Sequence, residues 1–292
     1  MKKLFIIILW CATYTVNAQT VSSHTENFLK RLSVRQSFQG KLEKEEAAFI
    51  NLVLPKDGEE SFNYSFAVGY NVLNPDLSLA KLRPFVEAQK NTLLKSKQDV
   101  VLSGLDFQTY FWDVIEKERT WTPYLITKVN YKKDNVKNTE GTQGSLFISP
   151  IFNGKGGKFS LLPDAVSQYK DSVIRFYYNA YAGIEYESRN SSDVTTNGDV
   201  WRFTYRLTAN VTLWQKIEII PDYINRSLFV RKTVAEKDKS EWFKLTLNWI
   251  LATKEKTKIA DVKIGLDFVK GVDPAKGFDN QQATTLTLKF KI

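Results

Sequence analysis

The sequence predicts an all-β protein, a single antiparallel up-and-down transmembrane β-barrel of about twelve strands. Three observations predict it. After residue 45 apolar and polar side chains alternate with period two, the spacing of an extended chain, and the helical period of 3.6 almost vanishes. The alternating runs are long: GDVWRFTYRLTANVTLW fills positions 198–214, whereas ordinary strands have a mode of about 5–6 residues. The runs also come in an even number, separated by connections that alternate between long and short.

The chain opens with MKKLFIIILWCATYTVNA, a basic pair, an apolar run and small residues. This is the layout of a secretory signal peptide over 1–18, with cleavage expected after Ala18. Its apolar run, Leu4 to Trp10, is too short for a spanning helix, which needs roughly 20 residues. Cys11 is the only cysteine, and bulky Trp10 before it argues against a lipid anchor. The mature chain then has no thiol, disulfide or cysteine metal ligand. Residues 19–44 are expected to form a periplasmic N-terminal extension or a lumen plug. Within it TENFLKRL predicts one or two helical turns through Phe28, Leu29 and Leu32.

The barrel is assigned to 45–292. Its first strand is expected over Glu45–Leu54. The second sets Phe62, Tyr64, Phe66, Val68, Tyr70 and Val72 against Ser61, Asn63, Ser65, Ala67, Gly69 and Asn71. Weaker alternation marks Leu79–Asn91, Asp99–Trp112, Trp121–Lys132 and Gln143–Phe152. The seventh strand, Val173–Tyr186, sets Phe176, Tyr178, Ala180, Ala182 and Ile184 against Arg175, Tyr177, Asn179, Tyr181, Gly183 and Glu185. In the eighth, 198–214, Trp201, Phe203, Tyr205, Leu207, Ala209, Val211 and Leu213 oppose Arg202, Thr204, Arg206, Thr208, Asn210 and Thr212. The ninth, Lys216–Phe229, contains Pro221, which within a strand marks a bulge or an edge. Trp242–Leu251, Ile259–Lys270 and Gln282–Ile292 complete the set.

If the first strand leaves the periplasm, the N- and C-termini are both periplasmic and connections after odd-numbered strands lie on the outer side. Those include ESRNSSDVTTNGD, VRKTVAEKDKSE, GVDPAKGFDNQ and KDNVKNTEGT, while the other side has the short WQ and TKEKTK. Long external loops with short periplasmic turns are the asymmetry of outer-membrane barrels. Asn153–Asp171 breaks the pattern by being long on the short side. A brief helix is expected there, around LLPDAVSQY.

Lipid explains both faces of such strands. In hydrocarbon every backbone polar group must be paired within the protein, so a spanning sheet has to close, with apolar residues toward lipid and polar ones toward the lumen. Trp201, Trp214, Tyr186, Trp121, Tyr131 and Trp112 lie near strand ends, where aromatic rings suit the headgroup boundary. The chain thus resembles the outer-membrane β-barrel proteins of Gram-negative bacteria over residues 45–292. The final TTLTLKFKI alternates to the terminus and is similar to the terminal strand read by the barrel-assembly machinery of that class, although it ends in Ile292 rather than an aromatic. The resemblance implies location in the cell outer membrane, with lipid, lipopolysaccharide and that machinery as partners. It identifies an architecture and no particular family.

Formal charge is +9, from 41 basic and 32 acidic residues, and losing Lys2 and Lys3 with the signal leaves an excess of seven. Such a balance points to anionic partners. For an exported protein these are lipopolysaccharide phosphates, acidic sugars or small anions, and nucleic acid is not expected. Turning the polar faces inward lines the lumen with Lys81, Arg83, Lys128, Lys132, Arg175, Arg202, Arg206, Lys244, Lys263, Lys289 and Lys291. Glu45, Glu87, Asp106, Glu185, Glu218, Asp222, Asp261 and Asp267 supply the acidic side. Arg83, Arg175, Arg202, Arg206, Lys244, Lys263, Glu185 and Asp267 are the candidate pore-lining residues, with Arg175, Arg202, Arg206 and Lys244 close in barrel order.

Enzymatic chemistry is not expected. His24 is the only histidine and lies outside every predicted strand, so a histidine base or orienter is unavailable in the barrel. No zinc spacing, Gly-rich phosphate loop or calcium loop occurs, and no metal or cofactor is expected. Rings of Arg and Lys select anions in pores. A basic twelve-stranded lumen is similar to small porins that pass acidic oligosaccharides, which implies a narrow channel with a mild preference for small anionic solutes. Two alternatives stand beside it. One is a barrel closed by internal ion pairs, with a structural, adhesive or assembly role through loops at 187–199 and 230–240. The other is a soluble periplasmic ligand-binding β-protein.

Overall fold

The structure, a computed structural model, describes residues 27, 28, 30–35, 37, 38, 48–53, 61–73, 78–92, 97–112, 120–152, 167–169, 173–195, 197–232, 234, 237–253, 261–272 and 280–291. Residues 1–18, expected as a signal peptide, and His24 lie outside them. Fourteen strands are present among the described residues. They are β1 (Leu32–Arg35), β2 (Ala48–Val53), β3 (Ser61–Tyr70), β4 (Ala80–Asn91), β5 (Gln98–Tyr110), β6 (Trp121–Asp134), β7 (Thr139–Phe152), β8 (Ser167–Tyr169), β9 (Ile174–Ser191), β10 (Gly198–Leu213), β11 (Ile217–Lys232), β12 (Lys239–Ala252), β13 (Asp261–Val272) and β14 (Asn280–Lys291). The twelve predicted strands correspond to all of these except β1 and β8.

Each of the twelve runs antiparallel to the next, from β2–β3 to β13–β14, with β7 meeting β9 directly. The first and last also pair, through Leu288↔Ile50, Lys289↔Phe49 and Phe290↔Ala48, the shortest ladder between any two of the twelve. On β3 one edge belongs to β4. The other is shared, with β2 taking Ser61–Ser65 and β1 taking Ala67–Tyr70.

The two short strands correct two expectations. Residues 27, 28, 30 and 31 are helical, as TENFLKRL suggested, but Leu32 already belongs to β1, where it pairs with Tyr70. In LLPDAVSQY, Ser167–Tyr169 pairs with Ile174–Phe176 as β8 instead of forming a helix, and 161–166 lie outside the described residues. Pro221 sits within β11 opposite Leu245 of β12. On its other side the β10 ladder skips from Thr208↔Asp222 to Val211↔Ile219, since proline offers no N–H to that neighbour.

The burial of the sheet is inverted relative to a soluble sandwich. On β10, Arg202 and Thr204 are 2% and 1% exposed, while Phe203 and Leu207 are 47% and 48% exposed. Among the described residues buried polar and charged side chains outnumber buried apolar ones. Two apolar clusters lie within the interior: Phe38, Ala67, Phe85, Val100 and Leu102, and Tyr124, Ile126, Phe147, Ile151 and Tyr181. Among the described residues no helix is long and apolar enough to cross a membrane.

Two glycines let neighbouring strands approach where a side chain would collide. A Cβ at Gly183 would lie 2.0 Å from the Leu146 carbonyl oxygen, and one at Gly104 2.2 Å from that of Val129. Glycine at such points bends a sheet. Gly183→Ala is expected to cost about 1–3 kcal/mol through forced backbone displacement. A urea midpoint equal to the parent's in refolded protein contradicts this.

Candidate functional site: the charged interior

Period two turns every second side chain of a strand to the interior, and the register decides which of the inward charges meet. Arg83 and Asp106 stand directly opposite on β4 and β5 and form a buried ion pair, with Arg83 Nε 3.1 Å from Asp106 Oδ2. Gln108 donates to Asp106 at 3.0 Å, and the Tyr124 hydroxyl donates to Gln108 at 2.5 Å. Glu187 on β9 draws three cations: Arg189 at 2.7 Å, Arg202 of β10 at 2.9 Å and Lys132 of β6 at 3.6 Å. Gln143 of β7 donates to the same carboxylate at 3.1 Å.

Farther round the sheet, Glu185 accepts from Arg226 at 2.6 Å, spanning from β9 to β11. Asp222 accepts from Arg206 Nε and Nη2, at 2.6 and 2.5 Å, and from the Thr208 hydroxyl at 2.9 Å. Arg206 also donates to the Tyr181 hydroxyl at 3.2 Å. Glu218 of β11 meets Lys263 of β13 at 2.7 Å and Asn248 of β12, between them, at 3.1 Å. Asp267 accepts from Lys289 at 2.6 Å, Thr246 at 2.5 Å and Thr287 at 3.2 Å, with Lys244 within electrostatic reach.

Of the eight candidate lining residues, Arg83, Arg202, Lys244 and Asp267 are buried on this face and Arg206, Lys263 and Glu185 are half-buried there. Arg175 stands apart, exposed at the start of β9 opposite Gln168 of β8. Arg202, Arg206 and Lys244 do not form an unbroken basic ladder, because Glu187, Asp222 and Asp267 stand among them. Glu187, Arg189 and Arg226 were not among the predicted lining residues. The signal was present: Glu187 and Arg189 continue the parity of Glu185 past the predicted strand end at Tyr186, and Arg226 shares the parity of Glu218 and Asp222.

Within the tracts expected as loops at 187–199 and 230–240 the flanks are strand: β9 runs to Ser191, β10 starts at Gly198, β11 runs to Lys232 and β12 starts at Lys239. They extend the sheet as a ribbon. In the short connection at its tip, the Thr195 backbone N–H and hydroxyl donate to Asp193 at 2.9 and 2.8 Å. These bonds hold its carboxyl below the usual carboxylate range.

The arrangement neutralises charge: each of these carboxylates meets at least one cation. Among the described residues no group of three or more His, Cys, Asp or Glu is placed to hold a metal ion. No protein-family model and no curated protein matches the chain.

Proposed function

We propose that the chain is an outer-membrane β-barrel, closed along the short β2–β14 seam, whose lumen is occluded by its own ion pairs. In this reading it serves as a structural or adhesive scaffold that presents the β9–β12 ribbon to partners outside the cell. The observation that carries it is the inverted burial. Many of the interior charges are buried, with Asp106 0% and Lys289 2% exposed, and Arg206, Lys263 and Glu185 are half-buried within ion pairs, while long rows of Phe, Leu and Trp face outward. A soluble protein rarely exposes a contiguous apolar patch beyond a few hundred Å², so acyl chains are the fitting solvent for that face. A water-filled bore would leave the tips of its lining side chains accessible. The paired cations favour occlusion over the narrow anion-preferring channel, because an Arg or Lys neutralised by a buried carboxylate presents little field to a passing anion.

Fractionation and planar-bilayer recording test the two parts separately. The full chain is expected in the detergent-extracted outer-membrane fraction, with no steady conductance. Release by osmotic shock overturns the membrane reading. A steady anion-selective conductance overturns occlusion and restores the channel.

A further inference from the structure

The segment before the first long strand is built into the interior at one point. Strand β1 is four residues long and pairs with β3 through Leu32↔Tyr70, Ser33↔Gly69, Val34↔Val68 and Arg35↔Ala67. The Asn71 backbone N–H donates to the Arg31 carbonyl at 2.9 Å. Just beyond, the Phe38 ring is 1% exposed, packed with Ala67, Phe85, Val100 and Leu102. Its backbone N–H donates to the buried Glu87 carboxylate at 3.1 Å. The Arg35 and Arg83 guanidinium groups lie 4.5 and 5.0 Å from the ring centroid. Gly69 makes the notch: a Cβ there would sit 2.6 Å from Phe38 Cζ.

We propose that Leu32–Arg35 and Phe38 form a releasable strap, in which β1 zips onto β3 and Phe38 bolts into the Gly69 notch, gating water's access to the apolar interior around Ala67, Phe85, Val100 and Leu102. The proposal rests on the barrel reading, since it needs the polar face to enclose an interior. Two features make the strap the element that lets go. Its ladder is a single short one, while the long strands are held on both edges, and short segments with few backbone bonds open at lower free energy than long ones. Its anchor is one apolar ring, with Glu87 and the two arginines around it able to face water once the ring leaves.

The test uses the full chain in lipid vesicles with Cys11→Ser, carrying Leu102→Cys as a reporter behind the strap and labelled by a membrane-impermeant maleimide. Slow labelling is expected with Phe38 in place. Phe38→Ala is expected to speed it about tenfold or more, from the lost burial of one aromatic side chain, and Phe38→Leu to return it near the parent rate. Equal rates with Phe38 and Ala, or fast labelling in both, overturn the strap. If Phe38→Ala does not assemble, hydrogen exchange on the unmodified chain decides: the 31–38 peptide is expected to exchange well before 83–91, and equal protection overturns the proposal. A separate Leu207→Cys reporter keeps the barrel reading apart, because labelling at that outward position defeats the barrel whatever the strap does.

Discussion

Leu207→Arg is expected to destabilise the protein in bilayers by about 2–4 kcal/mol, the cost of a cation on the lipid face near the midplane. Leu207 lies on the outward face of β10, about halfway between Trp201 and Trp214, and is 48% exposed. Trp201→Arg, on the same face near one end, is expected to cost no more than about 1 kcal/mol, since the penalty falls toward the interface. Denaturant unfolding in vesicles, followed by tryptophan fluorescence, reads both. The contrast with depth is the decisive quantity. If water bathed this face, arginine at the half-exposed Leu207 would change stability by no more than about 0.5 kcal/mol, as surface substitutions do. Equal small effects at both positions would defeat lipid contact.

The long strands were legible because each carries enough residues for period two to separate from chance. Strand β10 alternates from Trp201 to Leu213, and burial follows that alternation almost residue by residue up to Leu207. Strands β1 and β8 carry no such signal. LSVR and SQY are too short to show a period, and pairing with β3 and β9 holds them extended. Apolar residues at helical spacing in TENFLKRL account for the helical residues 27, 28, 30 and 31 but say nothing of the chain beyond them. The run of strand β9 past the predicted end at Tyr186 was missed because ESRNS is polar on both faces. A ribbon with no apolar face shows no apolar–polar alternation, and only the charged parity of Glu185, Glu187 and Arg189 continues through it. The interior was legible as a set of inward residues but not as pairs. Whether Arg202 faces a bore or a carboxylate depends on Glu187 one strand away, and that proximity comes from the β9–β10 register, which no local pattern encodes.

Glu187→Ala is expected to cost about 3–5 kcal/mol, the range for breaking a buried ion pair and leaving its partner uncompensated. The carboxylate is the shared partner of Arg189, Arg202 and Lys132 and the acceptor for Gln143. Arg231→Ala, at the exposed 3.2 Å pair with Asp238, is expected to cost less than about 1 kcal/mol. In the Glu187→Ala background, Arg202→Gln should recover part of the loss by removing one stranded cation, so the two substitutions are non-additive. Strict additivity in denaturant unfolding would mean that the pair is not coupled. The coupling gives these charges a role beyond filling space. A one-residue slip between strands moves every side chain to the opposite face, and an interior lined only by Leu and Val would resist that slip weakly, because both faces would then be apolar. In the proposed barrel, charges that meet only in the native register, Arg83 with Asp106 and Glu187 with Arg202, make the slip place cations among acyl chains. The ion pairs thereby distinguish inside from outside along the wall, and a protein lacking Glu187 is expected to keep its strands while losing the sharpness of its unfolding transition.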